Sequence, residues 1–205
     1  MRLVLATDNR GKLAELHPLL APLGFELVTQ GELGIVGAPE PHFTFIENAL
    51  AKARHAAERS GGAALADDAG LCVEALGGEP GVDTAFFATR FGYPKSDATN
   101  VRAVLEQLAG KADRRAALVS TIVALRHARD PQPLVAVGRA AGIILEAPRG
   151  AGGFGFDPVL FIESEGCTFA EMTPQRKNEL SHRGQAARQI VRLIRENWLQ
   201  QRATA

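Results

Sequence analysis

Over its first 66 residues the chain alternates short apolar runs with stretches of helical periodicity, which restricts it to folds where helices pack on a sheet. Leu3 to Ala6 reads as a strand, followed by the polar turn Thr7-Asp8-Asn9-Arg10-Gly11. Leu13, Leu16, Leu19, Leu20 and Leu23 then recur at helical spacing over Lys12 to Leu23, although Pro18 interrupts the middle. Phe25 to Val28 reads as a second strand. From Thr44 to Arg59 the spacing predicts a helix with Phe45, Ala49, Ala53 and Ala56 on its apolar face and Glu47, Asn48, Lys52 and His55 opposite.

A strand over Ala63 to Ala66 is expected to end at Asp67-Asp68-Ala69-Gly70. Asp97 to Leu108 reads as a helix capped by Ser96 or Asp97. Two β-rich runs, Ala116 to Arg126 and Leu134 to Leu145, flank Asp130-Pro131 and suggest a long hairpin. Phe156 to Ile162 reads as a further strand, and Gln185 to Leu199 as a closing helix. Early strand–helix alternation followed by a hairpin predicts an α/β fold with a mixed sheet, in one continuous unit over residues 1–205.

Composition narrows the function. The 23 basic and 23 acidic residues cancel, so the chain as a whole carries no long-range attraction to a nucleic acid. Cys72 and Cys167 lie far apart with no C-x-x-C pair, which argues against a zinc knuckle or a disulfide framework and fits a reducing compartment. No apolar stretch approaches a membrane span, and no secretory h-region follows Arg2. The expectation is a cytoplasmic protein that binds neither membrane nor nucleic acid.

Five stretches carry chemistry. At the strand–turn–helix junction Thr7 to Lys12, free N–H groups at a helix start favour phosphate, and Gly11 permits close approach. Lys12 in the first turn opposes the helix dipole by roughly 0.3–1 kcal/mol, a placement that makes sense beside a polyphosphate. The alternative is that Asp8 or Asn9 simply caps the helix. Asp67-Asp68 can bind Mg²⁺ or orient a water, though strand alternation lets at most one carboxylate face a given site. A polar strand end is the other reading.

Gly150 to Gly155 satisfies G-x-G-x-x-G, but a strand-like segment follows it, so a dinucleotide site is rejected. The loop could instead offer Phe154 and Phe156 to a nucleobase, or be a connection with core phenylalanines. Lys177 to Gly184 groups lysine, histidine and arginine, which suit phosphate and base edges, and reads otherwise as a solvated loop. Asn48 and Lys52 share a helix face at i, i+4, where a solvated face is the default. No Walker A, H-E-x-x-H or G-x-S-x-G motif is present, so covalent catalysis has no support.

In this order the stretches resemble the noncanonical purine nucleoside triphosphate pyrophosphatases, the dITP/XTP/ITP-cleaving family. The carriers are Ala6-Thr7-x-Asn9-x-Gly11-Lys12, Thr44-Phe45-x-Glu47-Asn48-Ala49-x-x-Lys52-Ala53, Asp67-Asp68-x-Gly70-Leu71, Gly77-Gly78-x-Pro80-Gly81, Gly153 to Pro158 and Ser181-His182-Arg183-Gly184. The resemblance implies an elongated mixed β-sheet with flanking helices in two lobes around a central nucleotide cleft. It also implies a homodimer that uses Mg²⁺ and a purine nucleoside triphosphate. Carried over by position, Asp68 is the general base and shares magnesium with Glu40. Thr7, Asp8, Asn9, Arg10, Gly11 and Lys12 grip the triphosphate, with Lys52 as helper and Ala69 beside the substrate. Phe154, Gly155, Phe156, Asp157, Lys177, His182 and Arg183 hold base and sugar.

Ala69 stands where the family usually has serine, Asp83 to Phe87 depart from Tyr-Ser-Ala-Arg-Tyr, Phe156 replaces tyrosine and His42 replaces glycine. Asp8 is an unusual acid in the phosphate turn. Two rival readings are a Maf-like pyrophosphatase acting on other modified or pyrimidine nucleotides, and a non-catalytic nucleotide-binding protein.

Overall fold

The computed structural model describes residues 1–200 and shows a mixed α/β fold. Its sheet has seven strands among the described residues: β1 (Arg2–Leu5), β2 (Glu26–Thr29), β3 (Ala63–Val73), β4 (Arg115–Leu125), β5 (Leu134–Ile144), β6 (Leu160–Ile162) and β7 (Cys167–Thr168). They lie in the order β2-β1-β3-β4-β5-β6-β7. β1 pairs in parallel with β2 and with β3, whereas β6 is antiparallel to β5 and β7. The helices are α1 (Arg10–Leu20), α2 (Phe45–Ser60), α3 (Asp97–Gln107), α4 (Pro174–Leu180) and α5 (His182–Ile194). None of the described helices is long and apolar enough to cross a membrane.

The chain forms two compact units. The first contains Met1–Asp68, Ser120–Gly138 and the described residues from His182 to Gln200; the second contains Ala69–Val119 and Arg139–Ser181. In the first, strand alternation creates two apolar layers. Leu3, Leu5 and Leu65 pack with Leu16 and Leu20 of α1 and with Ala186, Ile190 and Ile194 of α5. Val4, Ala6, Ala64 and Ala66 pack with Ala49, Ala53 and Ala56 of α2. Those small residues let α2 approach the sheet closely. At Gly138 on β5, any Cβ would strike the His182 carbonyl and lie 2.7 Å from the Ala186 amide, so glycine allows α5 to seat. In the second unit, Val101 and Val104 of α3 join Leu71, Phe87, Leu118, Ile144, Leu160 and Phe169 in one core.

Several expectations need correction. β3 does not stop at Asp67 but runs on to Val73, because buried cations and a hydroxyl supply partners that outweigh the poor strand propensity of aspartate. The strand expected from Phe156 begins only at Leu160. The amides of Val159 and Leu160 both bond the Phe156 carbonyl at 3.1 Å, which keeps residues 156–159 turned. Lys177 to Gly184 is not a solvated loop: α4 occupies its first half, with Thr173 as N-cap, and α5 begins at His182. The closing helix ends as a π-helical turn, Arg195–Leu199. Asn48 is buried, not solvated.

β4 and β5 are neighbours in the sheet, and Asp130 organises the link between them. Its carboxylate accepts from the Arg126 amide at 3.0 Å, the Arg126 guanidinium at 2.8 Å and the Gln132 amide at 3.0 Å. Asp130→Ala leaves those donors short of an acceptor and should cost about 1–3 kcal/mol in urea denaturation. A loss within experimental error of zero would contradict this role.

Candidate functional site

The turn from Thr7 to Lys12 is built by the βα junction of the first unit. Asn9 caps α1, its Oδ1 accepting the Lys12 amide at 3.1 Å, and its NH₂ is the donor it can still offer. Thr7 Oγ1 accepts the Asn9 amide at 3.2 Å. Arg10 and Gly11 open the helix, Arg10 exposed and Gly11 half-buried. Asp8 turns away from this work. Its carboxylate accepts from Gln30 Nε2 at 2.7 Å and from the Gly31 amide at 3.0 Å, so the acid ties the turn to the segment after β2. The phosphate contact implied by the resemblance does not fit those partners.

β3 places Asp67 and Asp68 in successive positions, and alternation sends them to different company. Asp67 is fully enclosed. Ser120 Oγ donates to it, Arg183 Nε donates at 3.1 Å, and Lys12 Nζ lies 2.9 Å from its Oδ2 and 3.2 Å from its carbonyl oxygen. Arg183 Nη1 also pairs with Glu15 at 2.5 Å. Burial alone would raise the Asp67 carboxyl, but Arg183, Lys12 and the Ser120 hydroxyl outweigh it and hold the group well below the usual carboxylate range.

Asp68 meets α2. Lys52 Nζ lies 2.8 Å from Asp68 Oδ1 and 2.9 Å from Glu40 Oε2, so one ammonium bridges two carboxylates. Asp68 Oδ2 is buried and has no hydrogen-bond partner among the described residues. Burial raises the Asp68 carboxyl above its ordinary range; Lys52 and Lys12 oppose the rise and the Glu40 charge adds to it. Glu40 goes the other way: burial would lift it, but Lys52 prevails and holds it low. Burial would also lower Lys52, yet Asp68 and Glu40 keep it raised and charged.

These residues suit a divalent cation. Two carboxylates already converge on one positive charge, and an orphaned buried oxygen lies beside it. Among the described residues no group of three or more His, Cys, Asp or Glu side chains could hold a metal. Glu40 and Asp68 make a pair, and magnesium is commonly bound by one or two carboxylates completed by waters and substrate phosphates.

In the second unit, Asp157 is the organiser. Its Oδ2 accepts the Phe154 amide at 2.8 Å and the Lys177 ammonium at 2.6 Å, with both side chains buried. Lys177 lies 4.6 Å from the centre of the Phe154 ring. Gly153 is required here twice over, by its φ of +73° and because a Cβ would strike the Asp157 carboxylate. Gly155 donates to Asp97 at 2.8 Å. Phe156 is a core residue, buried with Phe169 and Leu160, so the base contact implied for it does not fit.

The Ham1 family model matches residues 3–193. The chain belongs to the Ham1 family. A dITP/XTP pyrophosphatase of Albidiferax ferrireducens is 65% identical over 199 residues, covering 97% of this chain and 100% of the relative. A dITP/XTP pyrophosphatase of an Acidovorax species is 63% identical over 198 residues, covering 97% of each. A HAM1 protein from Coxiella burnetii superposes with a TM-score of 0.89 at 41% identity, covering 96% of this chain and 99% of that one.

Within this Ham1 chain the structure brings Lys12, Asp67, Ser120, Glu15 and Arg183 into one buried cluster, and Glu40, Lys52 and Asp68 into another. Arg183, expected at the base, has a guanidinium engaged by two carboxylates, and His182 is also buried. Lys52 sits on the two carboxylates rather than on an open face. Glu15 and Ser120 went unnoticed in the sequence. Glu15 was readable in principle, three residues after Lys12 and so beside it on α1; Ser120 carried no local signal. Ala69, half-buried next to Asp68, offers no hydroxyl. In the divergent Asp83–Phe87 segment, Asp83 pairs with Arg90, and Phe86 lies under the Lys95 ammonium at 3.8 Å.

Proposed function

We infer that this Ham1-family chain hydrolyses noncanonical purine nucleoside triphosphates, such as dITP, ITP and XTP, to the monophosphate and pyrophosphate, clearing them from the nucleotide pool. The observation that carries the reading is the convergence of Glu40 and Asp68 on the Lys52 ammonium, next in sequence to Asp67, which Lys12 of the Thr7–Lys12 turn contacts.

Each residue has a task that follows from its chemistry. Asp68, raised by burial, is a stronger base than a solvated carboxylate and takes a proton from the water that attacks the α-phosphorus. Glu40 and Asp68 would hold Mg²⁺, which would supply charge neutralisation to the triphosphate when bound. Asn9, the free amides of α1 and Lys12 hold the phosphate chain, and their positive field stabilises charge moving onto the leaving pyrophosphate. Lys52 keeps the two carboxylates oriented. An incoming phosphate draws Lys12 from Asp67, a move that leaves Asp67 still paired with Arg183 and Ser120.

Base choice falls to Phe154 by stacking and to backbone donors near it, with Lys177 and Asp157 fixing that loop. Arg183 reads a 6-oxo group only if a carboxylate releases it. Donors aimed at a 6-oxo group are left unpaired by the amino group of adenine, a mismatch that can reach about 10⁴–10⁵ in rate. The working form is a cytoplasmic homodimer, as the family resemblance implies. A panel of triphosphates assayed for pyrophosphate, with Mg²⁺ and with chelator, tests the reading. ITP, dITP and XTP should outpace ATP by at least about 10²-fold, and chelator should abolish release. ATP cleaved as fast as ITP, a preference for pyrimidines, or turnover indifferent to chelator would contradict it.

A further inference from the structure

We propose that Asn48 is a positioning residue for Glu40, fixing the segment that carries this carboxylate and thereby setting the affinity for the divalent cation. The inference rests on the reading of Glu40 as a cation ligand.

Residues 34–44 form no helix or strand, and from Val36 to Thr44 every residue is exposed except the half-buried Ala38. Such a stretch has little reason to hold one conformation. What orders it is α2, along which it runs with contacts in reversed order. His55 Nε2 lies 2.8 Å from the Val36 carbonyl, Lys52 Nζ is 2.9 Å from Glu40, Asn48 meets His42, and Glu47 meets Thr44. Helix positions 48, 52 and 55 are three or four residues apart and so share one face.

Asn48 makes the distinctive contact of the series. Its Oδ1 accepts the His42 amide at 3.1 Å and its Nδ2 donates to the His42 carbonyl at 3.3 Å, so both backbone groups of one residue are captured. The side chain is 1% exposed, and a carboxamide placed there needs both bonds. Pro39 and Pro41 flank Glu40. Pro41 fixes its own φ, and it restricts Glu40 before it to extended conformations. Pinning the backbone at His42 therefore fixes Glu40 two residues away through a stiff connection. Lys52 then takes the Glu40 carboxylate from the same helix face.

The test uses the full chain and three readouts: Mg²⁺ dependence of pyrophosphate release, Mn²⁺ binding followed by electron paramagnetic resonance, and nucleotide affinity measured in chelator. Asn48→Asp keeps the acceptor for the His42 amide while setting an oxygen against the His42 carbonyl. It should weaken Mn²⁺ binding, and raise the half-saturating Mg²⁺, by about 10- to 100-fold. Nucleotide affinity in chelator should stay within about threefold, as should turnover at saturating Mg²⁺, since no bond to substrate changes. Pro41→Gly loosens the same connection without touching α2 and should shift metal affinity in the same direction, which covers the case in which the Asn48 variant folds poorly. Unchanged Mn²⁺ binding in both variants, alongside weakened binding in Glu40→Gln, would overturn the positioning role alone. Unchanged binding in Glu40→Gln would instead overturn the ligand reading beneath it.

Discussion

Asp68→Asn should lower pyrophosphate release by about 10²–10⁴-fold, the contribution typical of a positioned general base. The amide retains the shape of the carboxylate but can neither accept a proton nor offer a full negative charge to a cation. The fold should survive. Lys52 keeps Glu40 as a partner, and an uncharged side chain at 68 relieves both the burial of a charge, which is what chiefly raises Asp68, and the smaller repulsion from Glu40. Nucleotide affinity in chelator should therefore stay near wild type while turnover collapses. An Asp68→Asn enzyme turning over at more than about a tenth of the wild-type rate would remove Asp68 from the role of base.

The neighbouring residue should behave in the opposite way. Asp67→Ala withdraws the acceptor shared by Arg183, Lys12 and Ser120 and takes one of two carboxylates from a guanidinium that is almost wholly enclosed. Breaking one partner out of a buried ion cluster strands a charge, which typically costs 3–5 kcal/mol; about that loss is expected in urea denaturation, with little dependence on nucleotide or metal. Removing Arg183 together with Asp67 should recover part of it, since the enclosed guanidinium that loses a carboxylate is then gone as well. A loss below about 1 kcal/mol for Asp67→Ala would mean that the cluster contributes no more than an exposed pair. Two adjacent aspartates thus meet different company, Lys52 for one and the Arg183 cluster for the other, because a strand turns successive side chains to opposite sides.

That division shows where the sequence was readable and where it was not. The opening β1–α1–β2 pattern and the helix over α2 follow from periodicity and caps, which are local and survive in the structure within a few residues. The mixed sheet was equally legible, since a strand–helix alternation and a later pair of β-rich runs demand different connections. Alternation at Asp67-Asp68 was foreseen, but its outcome was not. Arg183 lies 116 residues from Asp67, and no local pattern announces a partner at that separation. Arg183 and Lys177 read as ligands for base and sugar or as part of a solvated loop, not as buried ions, because charged residues are rarely buried; here a carboxylate meets each. Asn48 misled for the same reason: its partner is the backbone of His42, which precedes the helix and is invisible to a helical wheel. Phe156 failed through turn chemistry, since Gly153 and Gly155 hold positive φ and carry the chain inward to the core before β6 begins.

The account stands most directly on where water enters. Hydrolysis of dITP or ITP in ¹⁸O-labelled water, with products resolved by mass spectrometry, reads that position without any substitution in the protein. Attack at the α-phosphorus by water activated at Asp68 predicts one labelled oxygen in the nucleoside monophosphate and none in the pyrophosphate. Label in the pyrophosphate, or release of single phosphates carrying it, would contradict the account.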